Sequence, residues 1–91
     1  RGPGQRDLLL ALDETRRVIE PAAAALAARR ATPEERRLIH AAYDRMVEAQ
    51  SDLSRATQAD KAFHIAVLDA THNPVVGSFR GALEAILDAV F

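Results

Sequence analysis

The sequence predicts an all-α antiparallel helical bundle, and three observations carry that prediction. Apolar residues recur at steps of three and four along most of the 91 residues, and no stretch alternates as a strand would. Alanine is very frequent and aromatics make up only 4%, which suits closely packed helices with a core of small and aliphatic side chains. Two stretches, "ATPEE" and "HNPVV", place a capping residue directly before a proline, the arrangement that starts helices.

About four helices are expected. Residues 1–6 are Gly/Pro-rich and read as a linker or tail, and residues 7–91 as one helical domain. Helix one runs from about Asp7 to Arg30 on the stripe Leu8, Leu12, Ile19, Ala23, Leu26 and Ala27. Pro21 cannot donate to the carbonyl of Arg17, so a kink or brief break is expected near Glu20. For helix two, Thr32 is the N-cap, Pro33 the first helical residue, and Glu35 completes a Thr-x-x-Glu capping box. Its inward face is Leu38, Ile39, Ala42, Met46 and Val47. "QSDLSRAT" reads as a connector, and helix three as about Ala56 to Thr71. Asn73 and Pro74 then cap and start helix four, with Val75, Val76, Phe79, Leu83, Ile86, Leu87 and Val90 inward. The pattern is still running at Phe91, with no C-cap or polar tail, which reads as a fragment of a longer domain.

The net charge of −1, with acids and bases interspersed, leaves no basic stripe to bind nucleic acid. No run of apolar residues is long enough to span a membrane, and "RGPGQRD" is not a signal peptide. With no cysteine there is no disulfide or thiolate chemistry, a composition compatible with a cytoplasmic location. No Gly-rich phosphate loop, Ser/His/Asp arrangement or Cys/His cluster is present.

The stretch "DKAFHIAVLDATHNP" holds the main candidate. Asp60 and His64 are one helical turn apart, beside a stripe of Phe63, Val67 and Ala70. Three readings stay open on spacing alone. The two form a locally satisfied structural pair, or an acid–base pair, or half of a divalent-metal site. A carboxylate and a neutral imidazole one turn apart can ligate one ion, but two ligands do not complete a site. Arg16 continues the apolar stripe of helix one. It either pairs with Glu20 four residues on or holds an anionic ligand in a cavity. His72 near the end of helix three suits a structural role at the negative end of the helix dipole, and His40 reads as a surface or boundary residue.

Three stretches together resemble the effector-binding (FCD) domain of FadR-type GntR-family transcription regulators. They are "ETRRVIEPAAAALAARRAT", the "PEE" that opens helix two, and "ADKAFHIAVLDATHNP" with its Asp-x-x-Phe-His helix and Asn-Pro turn. The resemblance runs over about residues 7 to 91 and implies the first two-thirds of an antiparallel bundle of about six or seven helices. It implies a ligand-sensing and dimerisation domain, not an enzyme, that binds a small carboxylate effector. Many such domains hold a divalent metal with an aspartate and three histidines. Asp60 and His64 match the first two of those ligands, for Zn, Ni or Mn, and Arg16 falls at the family's first-helix arginine as an effector contact. The other two histidines of that pattern lie on later helices, and neither His40 nor His72 matches them. The resemblance also implies a homodimer in the cytoplasm, with DNA bound only through a winged-helix domain that these residues do not include. The rival reading is a metal-free dimerisation or scaffold bundle with Asp60–His64 as a structural pair.

Overall fold

The computed structural model describes residues 4–90, with the side chains of Leu87, Ala89 and Val90 outside that description. Every regular element among them is helical: α1 (Gln5–Arg30), α2 (Pro33–Glu48), α3 (Leu53–Ala70), the single turn α4 (Pro74–Gly77) and α5 (Arg80–Val90). The expected tail is shorter than its composition suggests, because Gly4 serves as N-cap and Gln5 and Arg6 are already helical. Residues 1–3 and Phe91 lie outside the described residues.

The caps explain most boundaries. Thr32 Oγ1 accepts from the Glu35 amide at 3.1 Å, and Glu35 Oε1 accepts from the Thr32 amide at 2.8 Å, the expected capping box. The connector before α3 is shorter than expected. Asp52 Oδ1 accepts from the Arg55 amide at 3.1 Å, so the helix begins at Leu53 rather than near Ala56. Asn73 Oδ1 accepts from the amides of both Val75 and Val76, which fixes Pro74 as a helix start.

Of the kink or break expected near Pro21 the break is absent, and the expected helix four is divided, each for a physical reason. α1 passes through Pro21 without a break. Arg17 and Pro21 are both exposed, so the backbone bond that Pro21 forgoes lies on the solvent side of the helix. The expected helix four is instead two elements. After Gly77 the Phe79 amide donates to Val76 three residues back (3.0 Å), and Ser78 Oγ donates to the Val75 carbonyl (2.6 Å). This tighter turn separates α4 from α5 and lets Phe79 pack against the core.

That core is small. Ala23 of α1, Leu68 of α3 and Leu83 of α5 are buried in one cluster, with Ile19, Ile65, Val76 and Phe79 packed around it. Ala27, Ala42, Ala49, Ala59 and Ala70 are buried as well, so small side chains sit where helices approach closely. α3 is central and packs against α1, α2, α4 and α5, while α1 also touches α5. Successive long helices run antiparallel. As a result α1 and α3 lie parallel, with Glu20 opposite His64 and Arg30 reaching the Thr71 carbonyl.

The molecule measures 48 × 33 × 16 Å. The bundle is thus a flattened slab, with α5 packed against both α1 and α3. The inward faces are accordingly thinner than their periodicity suggests. In α2 only Ala42 is buried, Ile39 and Met46 are half-buried, and Leu38 and Val47 are exposed. In α5 Leu83 and Ile86 are buried as expected, whereas Val75 of α4 is 78% exposed.

The α3–α4 junction is pinned from two sides. His72 has φ of 52°, an uncommon conformation for a non-glycine residue and one that suits the residue just past a helix C-terminus. Its Nε2 donates to Glu35 Oε1 at 2.7 Å, so the residue is structural, as expected, but its partner is the capping carboxylate of α2. Arg30 donates to the Thr71 carbonyl at 3.1 Å, and the buried Thr71 hydroxyl donates to Leu68 at 2.7 Å.

Two measurements check this architecture. Leu83→Ala is expected to cost about 2–5 kcal/mol in urea unfolding, while Leu38→Ala on the exposed face of α2 costs well under about 1 kcal/mol. The second concerns pH. The hydrogen bonds from the Thr32 backbone and then from His72 hold the Glu35 carboxyl below its usual 4.5. A carboxylate with a lowered folded pKa stabilises the fold fully above its unfolded value, and that contribution is lost as pH falls through the folded value. Glu35→Gln should therefore lower the melting temperature at neutral pH, and the gap from wild type should close in acid below the usual carboxyl range.

Candidate functional site

The residues singled out from the sequence meet at one end of the slab. Asp60 and His64 stand in the middle of α3. Arg16 stands on α1, and the core contact of Ala23 with Leu68 brings the two helices together one turn further on. A cavity of about 620 Å³ opens there, lined by Leu9, Leu10, Arg16, Asp60, His64 and Ile86 among others. His64, Glu20 and Arg16 are each about one-fifth exposed, and Asp60 is 30% exposed.

The charged groups form a ladder from α1 to α3. Arg16 donates from Nε and Nη2 to Asp13 Oδ1, at 3.1 and 2.8 Å, and from Nη1 to Glu20 Oε2 at 2.6 Å. Glu20 turns its other oxygen, Oε1, to Nδ1 of His64. The opposite ring nitrogen, Nε2, stands 3.2 Å from Asp60 Oδ1. Arg17 adds a second cation to Asp13 at 3.0 Å. Hydrogen bonds from Arg16 and then Arg17 hold the Asp13 carboxyl below its usual value, and the Asp13 bond raises Arg16 further above its own.

Arg16 pairs with Glu20 at i,i+4, the first of its two readings, and it also lines the cavity. Asp60 and His64 do sit side by side. Glu20 is the partner of His64 that the sequence did not reveal. Its only sequence signal was its position one turn after Arg16, and nothing in local spacing points across to α3. His40 is exposed and His72 sits at the far junction, so neither joins the site.

The donor chemistry fits half of a divalent-metal site. Two ligands each about 2.1 Å from one ion stand about 3.0 Å apart in an octahedral and about 3.4 Å apart in a tetrahedral arrangement. The 3.2 Å between Asp60 Oδ1 and His64 Nε2 falls in that interval. Glu20 touches the other ring nitrogen and is not a third ligand to the same position. Among the described residues no group of three or more His, Cys, Asp or Glu side chains is arranged to hold an ion.

The FCD domain family matches residues 11–91. The chain belongs to the FCD domain family. A curated relative, the galactonate operon transcriptional repressor of Escherichia coli (strain K12), is 37% identical over 84 residues, covering 92% of this chain. The chain spans 37% of that relative's length. No solved structure matches. An FCD domain of a GntR-type regulator is a regulatory module and not an enzyme, so the acid–base reading of Asp60 and His64 falls away. No helix among the described residues is long and apolar enough to cross a membrane.

The ladder is expected to matter for stability whatever binds in the cavity. Arg16→Met keeps the apolar stem but leaves Asp13 and Glu20 without their shared cation. It should destabilise the fold by about 1–2 kcal/mol in chemical unfolding, a modest figure because the groups are partly solvated.

Proposed function

We propose that this FCD domain is the effector-sensing and dimerisation part of a transcription regulator. It takes a small carboxylate, with Asp60 and His64 serving as two ligands of a divalent metal and Arg16 as the anion contact. The observation that carries the reading is the Asp60–His64 donor pair, spaced for one ion, on the wall of a cavity that Arg16 also lines. A bound divalent cation supplies a Lewis-acidic position for a carboxylate oxygen and offsets the negative charge of Asp60 and Glu20. The chain's own residues do the rest. Arg16 presents a planar fork suited to a carboxylate, and Leu9, Leu10 and Ile86 exclude water from the apolar side of the ligand.

The signal is a linkage. A ligand that binds one arrangement of α1 against α3 better than another shifts the population of the bundle, and with it the spacing of the DNA-binding domains in a dimer. Exposed Leu8 and Val18 on α1 support association with a second copy. DNA contact belongs to a winged-helix domain elsewhere in the protein, and the cytoplasm is where such a regulator works. The name of the galactonate operon repressor makes sugar acids the first carboxylates to try.

A second reading has its own support. Arg16 is already engaged by two carboxylates, and both nitrogens of His64 face carboxylates, so the ladder can also be a purely structural tie in a metal-free dimerisation bundle. Calorimetric titration of the intact protein separates the two. Zn²⁺, Ni²⁺ or Mn²⁺ should bind, His64→Ala and Asp60→Ala should abolish or strongly weaken that binding, and galactonate should bind tighter with metal than without. Arg16→Met should weaken the carboxylate and spare the metal. A wild-type protein that takes up none of these metals would leave the structural reading.

A further inference from the structure

We infer that Glu20 is the positioning residue of this site: it fixes the ring of His64 through Nδ1 and so directs the Nε2 lone pair toward Asp60. The inference rests on the metal reading above and adds a residue to it. Three observations support it. Glu20 Oε1 lies against Nδ1 of His64, on the side of the ring away from Asp60. Glu20 is itself held, since its second oxygen accepts from Arg16 at 2.6 Å and Arg16 is clamped in turn by Asp13. The groups are largely shielded from solvent, with Glu20 only 20% exposed, so the carboxylate is not free to swing away.

The chemistry follows from the two faces of a neutral imidazole. One nitrogen carries the proton and the other a lone pair, and the hydrogen bond made by one decides the role of the other. Glu20 and Asp60 can both only accept, and Glu20 is the nearer of the two to the ring, so the single proton of the neutral imidazole is placed on Nδ1. Nε2 is then the bare nitrogen, and it is the one 3.2 Å from the Asp60 carboxylate. Without a cation those two lone-pair bearers face each other unfavourably, and with a cation between them the arrangement is complete. Histidine ligands to metals generally depend on an outer carboxylate or carbonyl of this kind. Glu20 also touches the cavity's arginine, so its two oxygens join the metal half-site to the anion contact through one rigid group.

The test uses the intact protein as wild type, Glu20→Ala, Glu20→Gln and His64→Ala. Zn²⁺ affinity is read by competition with a chromophoric chelator. The His64 tautomer is read from imidazole ¹⁵N shifts of the metal-free protein above the histidine titration range. Glu20→Ala should weaken Zn²⁺ by about 10–100-fold. Glu20→Gln, whose amide oxygen still accepts from Nδ1–H, should recover most of that loss. Wild-type His64 should show the Nδ1–H form, and Glu20→Ala should lose that preference. Zn²⁺ affinity of Glu20→Ala within twofold of wild type, or an Nε2–H tautomer in the wild-type protein, would overturn the inference. Should wild type and His64→Ala fail equally to bind Zn²⁺, the metal reading falls, and the tautomer measurement still decides whether Glu20 orients His64.

Discussion

The site depends on one apolar cluster, in which Ala23 on α1, Leu68 on α3 and Leu83 on α5 are buried together. Ala23 follows Glu20 by about one turn, and Leu68 follows His64 by about one turn. Bringing the first pair into contact therefore brings the second pair into reach. The smallness of Ala23 matters, because a larger side chain there would hold the helices apart. A side-chain contact across the gap tolerates no such separation, whereas hydrophobic packing can adjust to it. The polar geometry is thus a consequence of packing one turn away, and the chemistry is only as well positioned as that contact is tight.

The ladder itself is a compromise between opposing costs. Asp13, Glu20 and Asp60 put three carboxylates near one cavity, against the guanidinium of Arg16, the more exposed Arg17 and an imidazole. Partial burial raises the cost of leaving any of these unpaired, yet residual exposure keeps the attraction well below its interior value. Arg16 resolves part of the conflict by bonding two carboxylates at once. Among the described residues the Asp60 end has only the histidine. An unbalanced, half-buried carboxylate beside a cavity is where a cation gains most.

The opposite end of the slab shows the same economy with no ligand in view. Glu35 caps α2 and, with the same oxygen, accepts from His72, so the start of one helix is tied to the end of another. Arg30 joins the last turn of α1 to the same junction. The two polar clusters bracket the short core, which gives a thin bundle defined ends even though much of α2 and the start of α1 keep apolar residues exposed.

The sequence by itself determined the helical class, the Thr32 and Asn73 starts, the Asp60–His64 pairing and the resemblance that named the family. Each of these is a local matter: capping chemistry and one-turn spacing act within a few residues and leave their mark in order. It misjudged what depends on context. The break near Pro21 did not occur, because only the solvent-side position of Arg17 makes the lost bond tolerable. The single fourth helix became two, because Phe79 has a core to reach. Leu38 and Val47 carry a helical period but stay about half exposed. Glu20 became a neighbour of His64 only when α1 and α3 were laid parallel, an arrangement set by side-chain packing between residues more than forty positions apart in sequence. Periodicity records which face of a helix is apolar, and only the tertiary structure decides which other helix that face meets.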